Sequence, residues 1–175
     1  YKSLTYTLTG KSLLDLKADG MLFWSDWWMD EPFAKEKSRK GEVTVSLEPL
    51  KESFAKTWYE CKELVEKQNG ELLSVAEICE FLYLHFEKTG EYLLSNTCTW
   101  TNTQSSDGYL VLFGRSAAGG TDVGSWDPDG SSPDVGVCAS WFQKIESLES
   151  LKLVSKKNIL NLKIDNYDWQ YLQAF

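Results

Sequence analysis

Residues able to do chemistry are few and scattered along the chain. There is one histidine, His85, and there are four cysteines, Cys61, Cys79, Cys98 and Cys138. A Ser or Cys nucleophile needs a neighbouring base. His85 falls on the apolar face of a predicted helix, where a core histidine with its hydrogen bonds satisfied is the expected reading. No two cysteines form a C-x-x-C pair, so the zinc-ribbon and thioredoxin-like patterns are absent. Their even number permits two disulfides or four buried thiols, and both readings stay open. Asp127-Pro128-Asp129-Gly130 begins like a calcium loop, but no Glu follows at the EF-hand distance and Pro128 interrupts the motif. Those four residues read as a turn. Glycosidase chemistry needs two carboxylates flanking a cleft, and none of the 26 acidic residues is singled out for it. No glycine-rich phosphate loop joins a strand to a helix.

Charge narrows the partners. With 26 acidic and 18 basic residues among 175, the formal net charge is -8. A nucleic-acid backbone needs a basic face, and only Arg39 and Arg115 could clamp a phosphate in bidentate fashion. Nucleic acid is therefore not the expected partner. No apolar run approaches the ~20 residues that span a bilayer, so membrane insertion is not expected. The chain starts at Tyr1 with no basic-then-apolar leader, and a trimmed or processed chain is the expectation.

The elements that must position any site are clearest in the middle. Thr57-Trp58-Tyr59-Glu60 has the form of a capping box. Trp58, Cys61, Leu64 and Val65 follow at helical spacing, and Asn69-Gly70 supplies a stop. This predicts a helix over 57–68. A second capping box, Ser74-Val75-Ala76-Glu77, precedes Ile78, Phe81, Leu82, His85 and Phe86 on one face, and Gly90 ends the run. This predicts a helix over 75–88. Strands are predicted over Met21 to Trp28, around Val43, Val45 and Leu47, over Gly108 to Phe113, over Val135 to Trp141, and near Leu160 to Ile164. The charged segment from Pro32 to Lys40 reads as a solvated loop.

Residues 114–134 are rich in Gly, Ser, Asp and Pro and show no helical or strand period. A loop this long between strands is expected to be ordered and functional. Of the eight tryptophans, Trp24, Trp27, Trp28 and Trp58 fit core packing. Trp126 differs, because it sits among Ser, Asp and Gly. It either carries binding energy on an exposed surface or anchors its own loop.

The order of two linked helices, a strand, a long loop and a strand resembles the C-type-lectin-like fold. The residues that carry the likeness are Thr57-Trp58-Tyr59-Glu60-Cys61-Lys62, Asn69-Gly70-Glu71-Leu72-Leu73-Ser74-Val75-Ala76-Glu77, Trp100-Thr101-Asn102 and Val135-Gly136-Val137-Cys138-Ala139-Ser140. They look most like the branch that includes formylglycine-generating-type domains and the variable proteins of diversity-generating retroelements. The likeness covers about residues 20 to 142 and leaves 143–175 as an extension. It implies that the stretch from Phe113 through Trp126 to Cys138 is a diversified, ligand-facing region. The Glu-Pro-Asn, Gln-Pro-Asp and Trp-Asn-Asp triplets of calcium-dependent sugar-binding lectins are absent. The enzyme branch uses two cysteines close in sequence, unlike Cys98 and Cys138.

These readings converge on a single α+β domain over 1–175, with two helices on a small, twisted, mostly antiparallel sheet. A loop over about 101–134 would present the site. The expected function is non-catalytic binding of a protein or glycan, of receptor or adhesion type, without cofactor or metal. The candidate ligand-binding residues are Asn102, Gln104, Asp107, Arg115, Asp122, Ser125, Trp126, Asp127, Asp129 and Asp134. Display on a cell or virion surface and homo-oligomerisation are compatible with this reading. The alternatives are a structural part of a virion or surface assembly and an enzyme on a formylglycine-generating-type fold.

Overall fold

The computed structural model describes residues 1–144, which form one compact unit. The strand expected near Leu160 to Ile164 and the aromatics Tyr167, Trp169, Tyr171 and Phe175 lie outside the described residues.

The described chain is a mixed α+β structure with three α-helices and two sheets rather than two helices on one sheet. The first sheet holds β1 (Ser3–Leu8), β2 (Gly41–Ser46) and β7 (Ser140–Lys144) in the order β1-β2-β7, all antiparallel. The second holds β3 (Cys98–Gln104), β4 (Leu110–Ala117), β5 (Gly120–Trp126) and β6 (Val135–Gly136) in the order β5-β4-β3-β6. Its only parallel pair is β3 with β6.

The predicted helices form where the capping chemistry places them. In α2 (Trp58–Glu66), the Thr57 hydroxyl accepts from the Glu60 N–H while the Glu60 carboxylate accepts from the Thr57 N–H. In α3 (Val75–Thr89), Ser74 and Glu77 do the same, and Gly90 closes the helix at φ 73°. A further helix, α1 (Leu13–Ala18), starts at a third box in which Asp15 replaces the usual Glu opposite Ser12. Its six residues are too few for a periodic pattern to show.

Two buried clusters sit on opposite faces of the four-stranded sheet. Strand side chains alternate between faces, and β4 shows it directly. Val111 and Phe113 join the cluster formed with α3, Val43 and Val45, whereas Leu110 and Leu112 join the one formed with Cys61 and Val65 of α2. Each helix thus covers one face of the same sheet.

Four local expectations change. Met21 to Trp28 is not a strand: only Phe23 bridges, in parallel, to Thr121. Its rings pack on one another and on neighbouring segments instead of pairing in a ladder, but of its three tryptophans expected in the core only Trp28 lies there, while Trp24 and Trp27 are exposed. Trp28 is fully buried, and Trp27 Nε1 donates to the Val123 carbonyl at 2.6 Å, which covers the edge of β5. Val135 to Trp141 is not one strand either. It leaves β6, passes its 137 and 139 carbonyls to Leu50 and Ser46, and enters β7 in the other sheet. Residues 114–134 are not a structureless loop, because β4 continues to Ala117 and returns as β5. Finally, Pro32 to Lys40 is docked on the core, with Phe33 and Ala34 buried in a short 3-10 turn.

Charged groups lock that last segment to α3. Arg39 Nε donates to the buried Glu77 carboxylate at 2.6 Å and Nη2 to Glu71 at 3.0 Å. Burial opposes ionisation of Glu77, but the hydrogen bonds from Arg39 and from the Ser74 N–H outweigh it and hold the carboxyl below its ordinary range. The buried Glu80 carboxylate accepts from the Thr9 N–H and hydroxyl, each at 2.7 Å, and from the Ser38 hydroxyl. The N-terminal residues therefore belong to the same compact unit as the stretch from about 20 to 142 that carries the family likeness.

Candidate functional site

Along the second sheet, nine of the ten candidate residues fall into two groups. Gln104, Leu110 and Trp126 share one row of the ladder, and Cys98, Gly114 and Asp122 share another. Asp122 and Trp126 are four positions apart on β5, roughly 13 Å at the usual rise of a strand.

Three candidates meet at the Asp122 end. Arg115 and Asp134 form an ion pair, and Asp122 lies close enough to act on the same guanidinium. Asp134 also accepts from the Ser132 hydroxyl. Hydrogen bonds from Ser132 and then from Arg115 hold its carboxyl below the usual carboxylate range. Arg115 adopts φ 48°, and its carbonyl accepts from Trp24 Nε1 at 3.3 Å, so its backbone is fixed from both sides of the chain.

At the other end, Gln104 and Asp107 build the turn between β3 and β4. Gln104 Nε2 donates to the Gly108 carbonyl at 3.3 Å. Asp107 accepts from the Ser105 hydroxyl and the Tyr109 N–H, which keep its carboxyl below the ordinary range. Asp127 and Asp129 follow Trp126 in the expected turn: the Asp127 carboxylate accepts from the Asp129 N–H at 2.9 Å, and its carbonyl from the Gly130 N–H. Ser125 is half-buried opposite Val111. Asn102 does not join either group. Its Nδ2 donates to the Leu72 carbonyl at 3.0 Å, tying β3 to the link between α2 and α3.

Trp126 is both solvent-facing and packed against its own loop. It is 41% exposed. A Cβ added at Gly130 would lie 2.1 Å from its Nε1, so the backbone of the following turn rests against the indole. The loop over 127–134 is itself pinned. The Trp58 N–H donates to the Pro128 carbonyl and the Ala55 N–H to the Ser132 carbonyl, both at 3.0 Å.

What results is a strip along β5. Asp122, Gly124 and Trp126 are two residues apart and share the face that carries Leu110 and Leu112. None of the three is buried. The Arg115–Asp134 pair frames one end and the indole the other. Gly124 was not among the candidate residues. The signal was available in its place midway between Asp122 and Trp126 at strand spacing, where a missing side chain keeps the strip flat.

The groups considered for nucleophilic or redox chemistry are placed differently. All four thiols are free and buried. Cys98 and Cys138 fall in the two different clusters, on opposite faces of the sheet. Burial pushes the thiols up, to about 11 for Cys98, about 12 for Cys61 and Cys138, and well above the ordinary value for Cys79. His85 is buried in the core as expected, but only half satisfied: Nδ1 lies 2.8 Å from the Tyr6 hydroxyl, whereas Nε2 has no hydrogen-bond partner among the described residues and the Glu91 carboxylate stands 3.7 Å away. No group of three or more metal-ligating side chains gathers among the described residues, and no helix among them is long and apolar enough to cross a membrane.

Comparison of the chain with protein-family models, curated proteins and solved structures finds no match.

Proposed function

We propose that this chain is a non-catalytic binding module of the C-type-lectin-like kind, which presents the β5 strip and the 127–134 loop to a protein or glycan ligand. The observation that carries this reading is the strip itself. The half-exposed Trp126 indole and the Asp122 carboxylate stand on one face of β5, beside the Arg115–Asp134 ion pair, and the backbone of that strand is held by β4, by the Phe23 segment and by the loop anchors. Such rigidity suits recognition, because little side-chain order must be imposed on binding. A Trp beside polar hydrogen-bonding groups is the composition of a wet, specific surface.

The order of elements supports the same reading. Two linked helices lead into an antiparallel set of strands, and the closing strand returns to the sheet that holds the N-terminus. The thiols weigh against oxidase chemistry, since burial keeps them protonated at neutral pH and a thiolate is the reactive form.

The test is a screen of the purified chain against a glycan array and a cell-surface protein library, with and without calcium. A calcium-independent ligand lost with Trp126→Ala supports the reading. Silence on both arrays shifts weight to a structural role in an assembly. The finer form, a diversified receptor of a retroelement, is tested in neighbouring DNA, which should then encode a reverse transcriptase and a near-copy of the segment around 100–140.

A further inference from the structure

We infer that an apolar groove beside α3, separate from the β5 strip, docks a basic peptide segment that inserts one bulky apolar side chain. The groove has a volume of about 220 Å³. One wall is the outer flank of α3, with Leu82 and Phe86; the others are Met21 and Leu22, Tyr92, and the turn between β4 and β5 at Ala118. A cavity of ~150 Å³ accepts benzene, so this one has room for an indole or a branched aliphatic side chain.

Its walls are built rather than accidental. Tyr92 stacks on Phe86 at 4.6 Å between ring centroids, and the Tyr83 hydroxyl donates to the Asp19 carbonyl at 3.3 Å. Even so, Leu22 is 59% exposed and Tyr92 39%, and Trp24, laid over Gly119 next to Ala118, is 56% exposed. Apolar surface gathered in one place is a mark of an interaction site.

Charge selects the occupant. Asp19 and Glu87 stand at the mouth of the groove. Asp19 is paired with Lys11 at 2.8 Å, but among the described residues no cation lies within ion-pair distance of Glu87. The Tyr83 hydroxyl feels both: burial, then Glu87, then Asp19 raise its pKa. A mouth of this sign, on a chain of net charge -8, steers Lys or Arg beside an apolar anchor and repels acidic partners and anionic lipid surfaces.

The test uses the full-length, isotope-labelled chain titrated with three acetylated, amidated tetrapeptides and followed by NMR shifts. They are Lys-Leu-Trp-Lys, its Glu-flanked analogue Glu-Leu-Trp-Glu, and Lys-Gly-Gly-Lys, which has charge but no anchor. The expected result is saturable shifts at Leu22, Leu82, Phe86 and Tyr92 with the first peptide. Binding should be at least about fivefold weaker with the Glu-flanked one and absent with the third. Ala118→Trp, at an exposed turn position, should fill the groove and abolish the shifts. Glu87→Lys should reverse the preference between the two flanking charges. Trp126→Ala should leave this binding unchanged, so failure here and failure of the β5 reading are separable. Shifts elsewhere, equal affinity for both flanks, no saturation below about 10 mM, or Leu22 and Tyr92 side chains already shielded from solvent in the free chain would each overturn the proposal.

Discussion

The strip along β5 and the groove beside α3 border the same pair of strands, yet they are made in opposite ways. In the strip, the frame is built from engaged polar groups, Asp134 with Arg115 and Ser132 and Asp127 with the amide of Asp129, and the Gly130 backbone rests against the Trp126 ring. In the groove, apolar side chains are left over after the core has closed, with Leu22 and Tyr92 still exposed. The difference teaches that a polar loop is not thereby a mobile one, and that exposed apolar surface arises where the sequence reads as strand or core. The strip offers fixed geometry, and the groove offers apolar area awaiting cover.

The largest effect is expected when the element shared by both regions is disrupted. Phe113 is fully buried in β4 between them. Phe113→Ala should cost about 3–5 kcal/mol in chemical denaturation, and both surfaces should lose binding together. A loss confined to one surface would show that the two do not share a scaffold.

Next in size is the acid dependence of the scaffold. The folded Glu77 carboxyl titrates below its ordinary value, so the native state holds fewer protons than the unfolded one. Its contribution is therefore full above the unfolded value near ~4.3 and is lost as pH falls through the lower, folded value. Hydrogen bonds to a charged group contribute about 1.5–3 kcal/mol. Glu77→Gln should remove an amount of that order at pH 7 and flatten the acid limb of stability measured against pH.

Smaller effects separate the two surfaces. Trp126→Ala should weaken a strip ligand by about 2 kcal/mol if the indole is a hot spot, with thermal stability nearly unchanged, as read by calorimetry. Gly130→Ala should act in the same direction and more weakly. Its new Cβ would meet the indole at 2.1 Å, so the ring or the turn must move. A shift in tryptophan emission together with reduced ligand affinity is the expected readout; unchanged affinity would mean that the ring position does not matter.

Much of the helical half was legible from residues alone. The Thr57/Glu60 and Ser74/Glu77 boxes and Gly90 set the bounds of α2 and α3 because capping is local chemistry, written within four residues. Val43 and Val45 revealed β2 because one face of that strand is buried. Elsewhere the deciding contacts are distant. β5 was hidden because Asp122, Gly124 and Ser125 face partial solvent and mask the buried Thr121 and Val123. The aromatic run around Trp24 to Trp28 mimicked a strand because its rings pack across 90 or more residues of sequence, onto Arg115 and Val123. Buried Glu80 carries no local signal, since its partners are Thr9 and Ser38. Of the candidate site, Arg115, Asp122, Trp126 and Asp134 gather along one strip, whereas Asn102, Gln104 and Asp107 serve the backbone of their own link and turn. Composition marked the polar segment, but only the strand register shows which of its side chains share a face.

The most direct measurement pairs two variants with two ligands. Trp126→Ala and Ala118→Trp are each tested against a ligand taken from the arrays and against the Lys-flanked tetrapeptide. The expected result is a double dissociation: Trp126→Ala loses the array ligand and keeps the peptide, and Ala118→Trp does the reverse. Loss of both ligands with either variant, at unchanged stability, would contradict it, because the strip and the groove would then be one site.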